Sequence, residues 1–419
     1  MRLDARTHAF ALTWLAYAGF YLGRKNLSVM MPALSANEGF STDLLARVVF
    51  CYSVAYSVGQ FIMGILADRI GSRRVATAGM LVSALANLGL AFTGGPVAFL
   101  VLQTINGFAQ ACGWPALVKM ISGWFAPPER GTALSWWCTN YVFGAFLATM
   151  FATFAISGPL LASWGWRRGA VFPALLLSVI ALIFARFAPG EGPLEAISEP
   201  SAGSQPSASR WGQLREVVFD PAIQTIALAY FFIKFTRYAF LFWLPLYMVQ
   251  RLGYAQGDAG YTSSAFELVG FTGVLAAGYL SDRVFESRRY PVGCLMLAGL
   301  SIACLVHPAL SAQGWWGNLL GISLIGALVF GPDTLMGGAA TQDLAARHAA
   351  ASAAGFVNCV GSSGQLLSPL IVAFVVKYWG WDSVFHTFVV MAALGSLALA
   401  TRWSWTRDKL PSEIEWQQA

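Results

Sequence analysis

The sequence predicts an all-α, polytopic membrane protein with twelve transmembrane helices in two six-helix halves. Three properties of the 419-residue chain point to this class: 57% of its residues are hydrophobic, only 11% are charged, and its mean hydropathy is +0.60. Soluble domains carry about 25% charged residues, so this chain has too few to cover a water-facing surface. Because a span takes about 20 apolar residues, the chain has room for about twelve spans with their loops.

The same composition excludes a cytosolic enzyme, a disordered chain and a small disulfide scaffold. The six cysteines form no C-x-x-C pair and fall in apolar segments, so we expect them to pack as small apolar side chains. We recognise no metal site, phosphate-cradling loop or Ser-His-Asp set, and therefore expect no cofactor, no ATP drive and no enzymatic activity. The N-terminal segment lacks a cleavage site and is expected to remain as the first span.

Apolar runs bounded by charges or by Pro and Gly define the twelve spans. They lie near 8–34, 43–67, 75–93, 95–118, 133–156, 169–187, 222–250, 259–281, 291–308, 316–340, 349–376 and 383–404. A stretch rich in Pro, Ser, Gly and Glu interrupts this series and is expected to be a flexible linker. We therefore expect an N-terminal six-helix half over 1–187, a cytoplasmic linker over 188–220 and a C-terminal six-helix half over 221–419.

The distribution of Lys and Arg predicts the orientation in the membrane. If both termini face the cytoplasm, seventeen of these residues lie inside, five lie outside and four lie within spans. Cytoplasmic loops of membrane proteins carry the excess of Lys and Arg, so we expect both termini in the cytoplasm of a bacterial-type inner membrane. The net charge of +6 then mostly reflects topology, and a nucleic-acid partner is not expected.

A loop motif occurs once in each half. GILADRIGSRR follows the second span and GYLSDRVFESRR follows the eighth. The charged residues of interest are Asp68, Arg69, Arg73, Asp282 and Arg283. Two parallel six-span halves that each carry this loop resemble the major facilitator superfamily, in which the loop holds the inward gate closed and lets it switch. The alternative is a simple positive-inside anchor, which does not explain the Asp.

Six ionisable residues lie well inside the spans. They are Arg24, Lys25, Lys234, Arg237, Glu267 and Asp333. Each costs about 2.5–3.5 kcal/mol at a helix centre, so each needs a partner or a function. The four cations exceed the two acids, which suits an anionic substrate and especially a dianion.

Arg24 and Arg237 occupy equivalent positions in the two halves, 213 residues apart. A guanidinium fork matches phosphate oxygens and keeps its charge, so we expect both arginines to bind one phosphoryl group. The alternative is that they form structural ion pairs with Glu267 and Asp333. Lys25 projects about 100° from Arg24 and is either a ligand or structural. The Lys234 side chain shares a helix face with Arg237 and is a candidate third cation.

Several segments resemble the organophosphate:phosphate antiporter family. They are YAGFYLGRKNLSVMMPAL in the first span, the G-W-P and W-F-x-x-x-E-R-G patterns of 106–140, KFTRYAFLFWLPLYM in the seventh span, 261–283 in the eighth and 350–364 in the eleventh. The resemblance implies that Arg24 and Arg237 bind the phosphate and that the acid Glu267 pairs with the basic residues when substrate is absent. It also implies that Tyr17, Tyr21, Tyr56 and Asn140 line the pocket.

Departures from the family pattern bear on the substrate. Thr139 stands where the glycerol-phosphate branch has a His, and Gln60 replaces a Lys of several members. Lys234 stands where a Tyr is seen, and the chain adds Asp333, either a counter-ion for Lys25 or Lys234 or a contact for substrate hydroxyls. These changes argue against glycerol 3-phosphate. Asn358, which corresponds to Asn140, either lines the cavity or bridges helices.

The resulting hypothesis is a monomeric secondary transporter that exchanges a phosphorylated small organic anion for inorganic phosphate across the lipid bilayer by alternating access. Two alternatives stay open at this stage. One is a sugar-phosphate sensor of the same fold, and the other is a proton-coupled symporter for an organic anion or phosphonate.

Overall fold

The computed structural model describes residues 4–125, 129, 133–134, 136–192, 218–341 and 350–404. Within these ranges the chain is helical and no strand occurs, in agreement with the predicted all-α class. Most of the predicted linker, 193–217, and parts of the W-F-x-x-x-E-R-G pattern lie outside the described residues.

The helices follow the predicted spans closely. In the N-terminal half they are α1 Ala5–Phe20, α2 Leu22–Asn37, α3 Thr42–Ile70, α4 Ser72–Phe92, α5 Pro96–Gln110, α6 Gly113–Ser122, α7 Thr139–Ser157 and α8 Arg168–Phe187. In the C-terminal half they are α9 Pro221–Leu252, α10 Gln256–Ser263, α11 Ala265–Tyr279, α12 Arg289–Ser311, α13 Trp315–Thr334, α14 Ala350–Trp379 and α15 Trp381–Ala400. Short π-helical turns extend α11 over Leu280–Val284 and α13 over Leu335–Ala339.

Ten helical segments of the described chain are long and apolar enough to cross a membrane. The first and fourth predicted spans are also helical, but each is interrupted once, between α1 and α2 at Tyr21 and between α5 and α6 at 111–112. The eighth span bends in the same way between α10 and α11 at Ser264. The expected set of twelve spans is therefore confirmed, and the interruptions are a feature that hydropathy does not reveal.

The chain divides into two compact units. The first contains the described residues of Met1–Ser204 together with Tyr238–Leu268 and Leu366–Val384, and the second contains the described residues of Gln205–Arg237, Val269–Gln365 and Phe385–Ala419. The first unit thus joins the N-terminal helices to parts of α9, α10, α11, α14 and α15. The halves 1–187 and 221–419 describe the sequence repeat and stay a prediction.

Inside the first unit, segments from both halves of the sequence are in direct contact. Gly260 of α10 packs on α7 so closely that a Cβ atom there would lie 2.2 Å from Thr153 Oγ1. Small residues allow such close approach of membrane helices. Side chains add hydrogen bonds between the halves: Ser28 Oγ donates to the Phe242 carbonyl at 2.9 Å, and Gln250 Nε2 donates to Ser35 Oγ at 3.1 Å.

An ion pair lies at the exposed edge of the same region. Lys377, near the end of α14, lies 3.1 Å from Asp43 at the start of α3, and both side chains are about half exposed. The fork of Arg251 donates two hydrogen bonds to Asp382, at 2.9 and 2.8 Å.

Candidate functional site

The six ionisable residues predicted inside the spans are all buried. Three of them, Arg24, Lys25 and Glu267, belong to the first unit. The other three, Lys234, Arg237 and Asp333, belong to the second unit. Each group is described within its own unit below.

Arg24 lies one turn after the interruption of the first span. At Tyr21 the backbone N–H bonds three residues back, to the Ala18 carbonyl at 3.1 Å, and the regular helical ladder is broken. Side-chain amides satisfy nearby carbonyls: Gln110 Nε2 donates to the Phe20 carbonyl and Asn106 Nδ2 to the Gly23 carbonyl, both at 2.8 Å. Such pairing by neighbouring helices makes irregular backbone tolerable at membrane depth.

The guanidinium of Arg24 is surrounded by neutral groups. Its Nη2 donates to Gln110 Oε1 at 3.3 Å, and its Cζ lies 4.7 Å from the ring centroid of Tyr21 and 4.8 Å from that of Tyr56. Its buried Nε has no hydrogen-bond partner among the residues that the structure describes. Within the first unit, no described carboxylate oxygen lies within 4.0 Å of this side chain, so the site holds a buried positive charge without a counter-ion.

Lys25, the next residue, is neutralised. Its Nζ lies 2.8 Å from Glu267 Oε1 and donates to the Leu241 carbonyl at 2.7 Å. Both Lys25 and Glu267 are almost completely buried. The contact is an ion pair without good hydrogen-bond alignment, and neither Glu267 oxygen accepts a hydrogen bond from a described group.

Arg237 has a carboxylate partner in the second unit. Its Nη1 donates to Asp333 Oδ2 at 2.7 Å, and its Cζ lies 4.6 Å from the Phe330 ring centroid. The structure thus pairs Asp333 with Arg237, which was one of the alternatives left open by the sequence, and not with Lys25 or Lys234. The reason is packing: α13 brings Asp333 to the arginine of α9, while Lys25 already has Glu267.

The described hydrogen-bond partners of the Lys234 ammonium are neutral oxygens. Its Nζ donates to Asn358 Oδ1 at 2.6 Å and to Ser362 Oγ at 3.4 Å, both on α14. It also lies 5.0 Å from the ring centroid of Tyr230. Among the residues described for the second unit, no carboxylate oxygen comes within 4.0 Å of this ammonium.

Other predicted pocket residues lie in the first unit. The Tyr17 ring packs 5.5 Å from Trp114 and 5.4 Å from Trp137, as measured between centroids. Asn140 is fully buried, and neither of its amide atoms has a hydrogen-bond partner in the described chain.

Two predicted pocket positions are less enclosed. Thr139 accepts a hydrogen bond from Trp14 Nε1 at 2.9 Å and donates to the Trp136 carbonyl at 2.8 Å, so its hydroxyl is already engaged. Gln60 is only partly buried.

The predicted gating residues make contacts inside their own halves. Asp68 lies 2.9 Å from Lys119 at the end of α6, and Lys119 lies 3.7 Å from Glu191 just after α8. Glu191 also accepts hydrogen bonds from the backbone and hydroxyl of Ser72 at 3.0 and 3.1 Å. These contacts join the ends of α3, α4, α6 and α8.

The remaining gating residues contribute less. Arg73 donates to the Ala185 carbonyl, while Arg69 is exposed. In the second loop Asp282 pairs with Arg289, and Arg283 is exposed.

Sequence reasoning missed the polar network behind Arg24. Ser83 Oγ donates to Asn106 Oδ1 at 2.7 Å and accepts from Gln110 at 2.9 Å, and Asn26 Nδ2 donates to Asn87 Oδ1 at 2.8 Å. The available signal was helical spacing: residues 83 and 87 are four apart, and residues 103, 106 and 110 are three and four apart. Such spacing puts the amides on one face of each span.

A polytopic helical fold with charged residues buried inside its spans is that of a membrane transporter, since intramembrane charges mark substrate and ion pathways. The family model described as Major Facilitator Superfamily matches residues 13–367, and the chain belongs to this family of transporters. It is therefore a multi-pass membrane transporter, as predicted, and not an enzyme.

Similar proteins indicate a narrower class within this family of transporters. The chain is 30% identical to the glycerol-3-phosphate transporter of Bacillus subtilis, over 95% of this chain and 92% of that protein. It is 28% identical to the membrane sensor protein UhpC of Escherichia coli, over 94% and 91%. A bacterial homolog of the human lysosomal transporter Spinster, solved in an inward-facing, unoccupied conformation, has the same fold, with a TM-score of 0.77, 16% identity and coverage of 97% and 100%. The relatives confirm the resemblance to the organophosphate:phosphate antiporter type.

Proposed function

We propose that this transporter exchanges a phosphorylated small organic anion for inorganic phosphate by alternating access. The observation that carries the proposal is Arg24, a buried guanidinium without a carboxylate within 4.0 Å in the described first unit. A buried charge is costly unless it is paired. The energetic cost of this arrangement is reduced when an anion binds, and the fork geometry of arginine favours phosphate.

From the sequence repeat we also propose that Arg237, which is equivalent to Arg24 in position, binds a phosphoryl group. In the structure Arg237 forms an ion pair with Asp333. A phosphoryl group therefore competes with that carboxylate for the guanidinium. Substrate then supplies the charge that frees Arg237 from Asp333. Without a bound anion, Arg237 keeps Asp333 as its partner. This favours obligatory exchange of anions across the membrane over uncoupled transport of one anion.

Tyr21 and Tyr56 support the same assignment. The Arg24 Cζ atom lies over both rings, 4.7 and 4.8 Å from their centroids. Gln110 fixes one end of the fork. We propose that Tyr17, Asn140 and the partly buried Gln60 contact the organic part of the substrate, since Asn140 keeps unsatisfied amide atoms in a buried position.

The gating loops and topology complete the proposal. We propose that Asp68 with Lys119 and Glu191 stiffens the cytoplasmic ends of the N-terminal helices, so that they move as one body.

Both termini would face the cytoplasm of a bacterial inner membrane, and the protein would work as a monomer. Accessibility labelling of cysteines introduced near residues 43 and 69 tests this orientation.

Counterflow in proteoliposomes tests the function. Proteoliposomes should take up labelled phosphate only when they contain phosphate or a phosphate ester inside. Arg24→Lys should lower this exchange by 100-fold or more, on the order of the loss expected for an essential charged hydrogen bond. Arg47→Lys, at an exposed arginine, is the matched control and should retain full exchange. Full exchange in Arg24→Lys would contradict the proposal.

Two other functions have specific support. The similarity to a membrane sensor protein favours a sugar-phosphate sensor, which would bind phosphate esters without flux in the same vesicles. Glu267, a buried acid whose oxygens accept no described hydrogen bond, favours a proton-coupled symporter. Uptake driven by a pH gradient in vesicles without internal phosphate would support that alternative and exclude antiport.

A further inference from the structure

Lys234 is held in a cradle made by two helices of the second unit. Tyr230 and Lys234 are one turn apart on α9, and Asn358 and Ser362 are one turn apart on α14. The Lys234 side chain is only 7% exposed. Its ammonium sits between the two α14 oxygens and the Tyr230 ring.

The close approach of α14 to α9 depends on a glycine. A Cβ atom at Gly361 would lie 2.4 Å from Tyr230 Cδ1 and 3.1 Å from Lys234 Cδ. Any larger residue would push the Lys234 stem away from Asn358. The lysine is therefore positioned by packing along its length, and its terminal group has a defined place.

Within the described second unit, no carboxylate oxygen lies within 4.0 Å of the Lys234 ammonium. The ammonium has three donors, and two are directed to neutral oxygens at 2.6 and 3.4 Å. Asp333, the acid of the described second unit that lies inside a span, is bound to Arg237. A buried cation with one donor remaining suits a singly charged anionic group more than a second phosphoryl group, which brings up to two charges and three acceptor oxygens.

We propose that Lys234, Asn358 and Ser362 form a carboxylate subsite, and that the organic substrate is a short phosphorylated carboxylic acid. This inference rests on the proposed phosphate site at Arg237. Lys234 precedes Arg237 by three residues, and side chains with this spacing are about 5–6 Å apart at Cβ. A three-carbon acid phosphorylated at its far end spans such a separation with its carboxylate on Lys234 and its phosphoryl group on Arg237.

A matched pair of probes tests the subsite. 3-Phosphoglycerate and glycerol 3-phosphate share the phosphate ester and the three-carbon chain, and differ in the carboxylate. In the unmodified protein, 3-phosphoglycerate should inhibit phosphate exchange about ten-fold more strongly, as one charged hydrogen bond provides. Lys234→Met should bring the inhibition by the two probes to about the same strength, as expected when one charged hydrogen bond is lost; the readout is the ratio of the two inhibitions and not the rate of exchange.

A second variant tests the subsite if Lys234→Met fails to fold. Asn358→Asp keeps Lys234 in place but gives it a carboxylate neighbour, so the preference for 3-phosphoglycerate should fall here as well. Cys359→Ala, at the exposed neighbouring residue of α14, is the control and should keep the preference. Stronger inhibition by propane-1,3-diol bisphosphate, which has a second phosphate and no carboxylate, than by 3-phosphoglycerate would overturn the carboxylate assignment in favour of a second phosphate.

The two proposals fail in distinguishable ways. If the unmodified protein exchanges phosphate but shows equal inhibition by the two probes, the subsite is wrong and the proposed function stands. If no exchange occurs, calorimetric binding of the same two probes decides the subsite. Equal affinities in that measurement, or a preference that survives Lys234→Met, would overturn it.

Discussion

Lys25 Nζ lies 2.8 Å from Glu267 Oε1, in an ion pair that joins α2 to α11 inside the first unit. The adjacent residue, Arg24, has no such partner in the described unit. The pair distinguishes two consecutive basic residues of one span: the charge of Lys25 is neutralised by Glu267, and Arg24 faces neutral groups of the described first unit. The same pair ties the first half of the sequence to the eighth span.

Removing one member of this pair should destabilise the protein strongly. Lys25→Met leaves the Glu267 carboxylate buried without a cation, and breaking a buried pair costs about 3–5 kcal/mol. We expect a large drop in the melting temperature in detergent. The double variant Lys25→Met with Glu267→Met should recover most of the loss, because it removes both charges. A double variant no more stable than the single one would contradict this account.

Neutralising Asp333 should strengthen phosphate binding and slow turnover. Asp333→Asn leaves Arg237 without its carboxylate, so an entering phosphate no longer competes for the guanidinium. We expect the apparent affinity for phosphate to rise about ten-fold, as for the loss of one competing charged hydrogen bond, with a lower maximal exchange rate. Asp382→Asn, at an exposed ion pair with Arg251, should change neither value. Weaker binding in Asp333→Asn would show that the acid helps to hold the site.

Placing a carboxylate beside Arg24 should abolish phosphate binding. Gln110 Oε1 accepts from the guanidinium at 3.3 Å, and Gln110→Glu gives that position a negative charge with nearly the same shape. Arg24 then gains an internal counter-ion and loses its attraction for phosphate. Exchange should fall by at least about 100-fold on the scale of charged hydrogen bonds, and the melting temperature should fall as well, because a carboxylate cannot donate to the Phe20 carbonyl.

The matched variant at this position separates charge from structure. Gln110→Leu removes the donor to the Phe20 carbonyl at the interruption of the first span. It should therefore lower stability by about 1–3 kcal/mol, the cost of an unsatisfied buried group. If Gln110→Glu exchanges phosphate normally, Arg24 is not the phosphate ligand.

Enlarging Gly260 should block the close packing of α10 on α7. A Cβ atom at this position would lie 2.2 Å from Thr153 Oγ1 and 2.6 Å from Thr153 Cγ2. Gly260→Val should separate the two helices and increase the labelling of a cysteine introduced at Thr153. Gly278→Val is the control, because a Cβ atom at Gly278 meets no atom within 4 Å. Equal labelling in both variants would show that this contact does not control how accessible position 153 is to the label.

Much of the site could be anticipated from residue type and position. Arg24 and Arg237 stand out because a charge inside an apolar run is costly and needs a reason. The sequence left the partner of Asp333 open among Lys25, Lys234 and Arg237, and the packing of the helices selects Arg237, although Lys234 lies on the same helix one turn away. Nor does hydropathy reveal the interruption at Tyr21, since Gln110 and Asn106, which satisfy the freed carbonyls, come from a span more than eighty residues later.

The sequence by itself determined the class of protein, the twelve spans and the six buried charges, because hydropathy and charge are properties of each segment alone. The tertiary structure alone decided which acid neutralises which base, leaving Arg24 and Lys234 facing neutral groups. It also decided that Gly260 and Gly361 would be points of close helix approach. These outcomes depend on distances between segments far apart in the chain, and such distances are set by the packing of helices against one another.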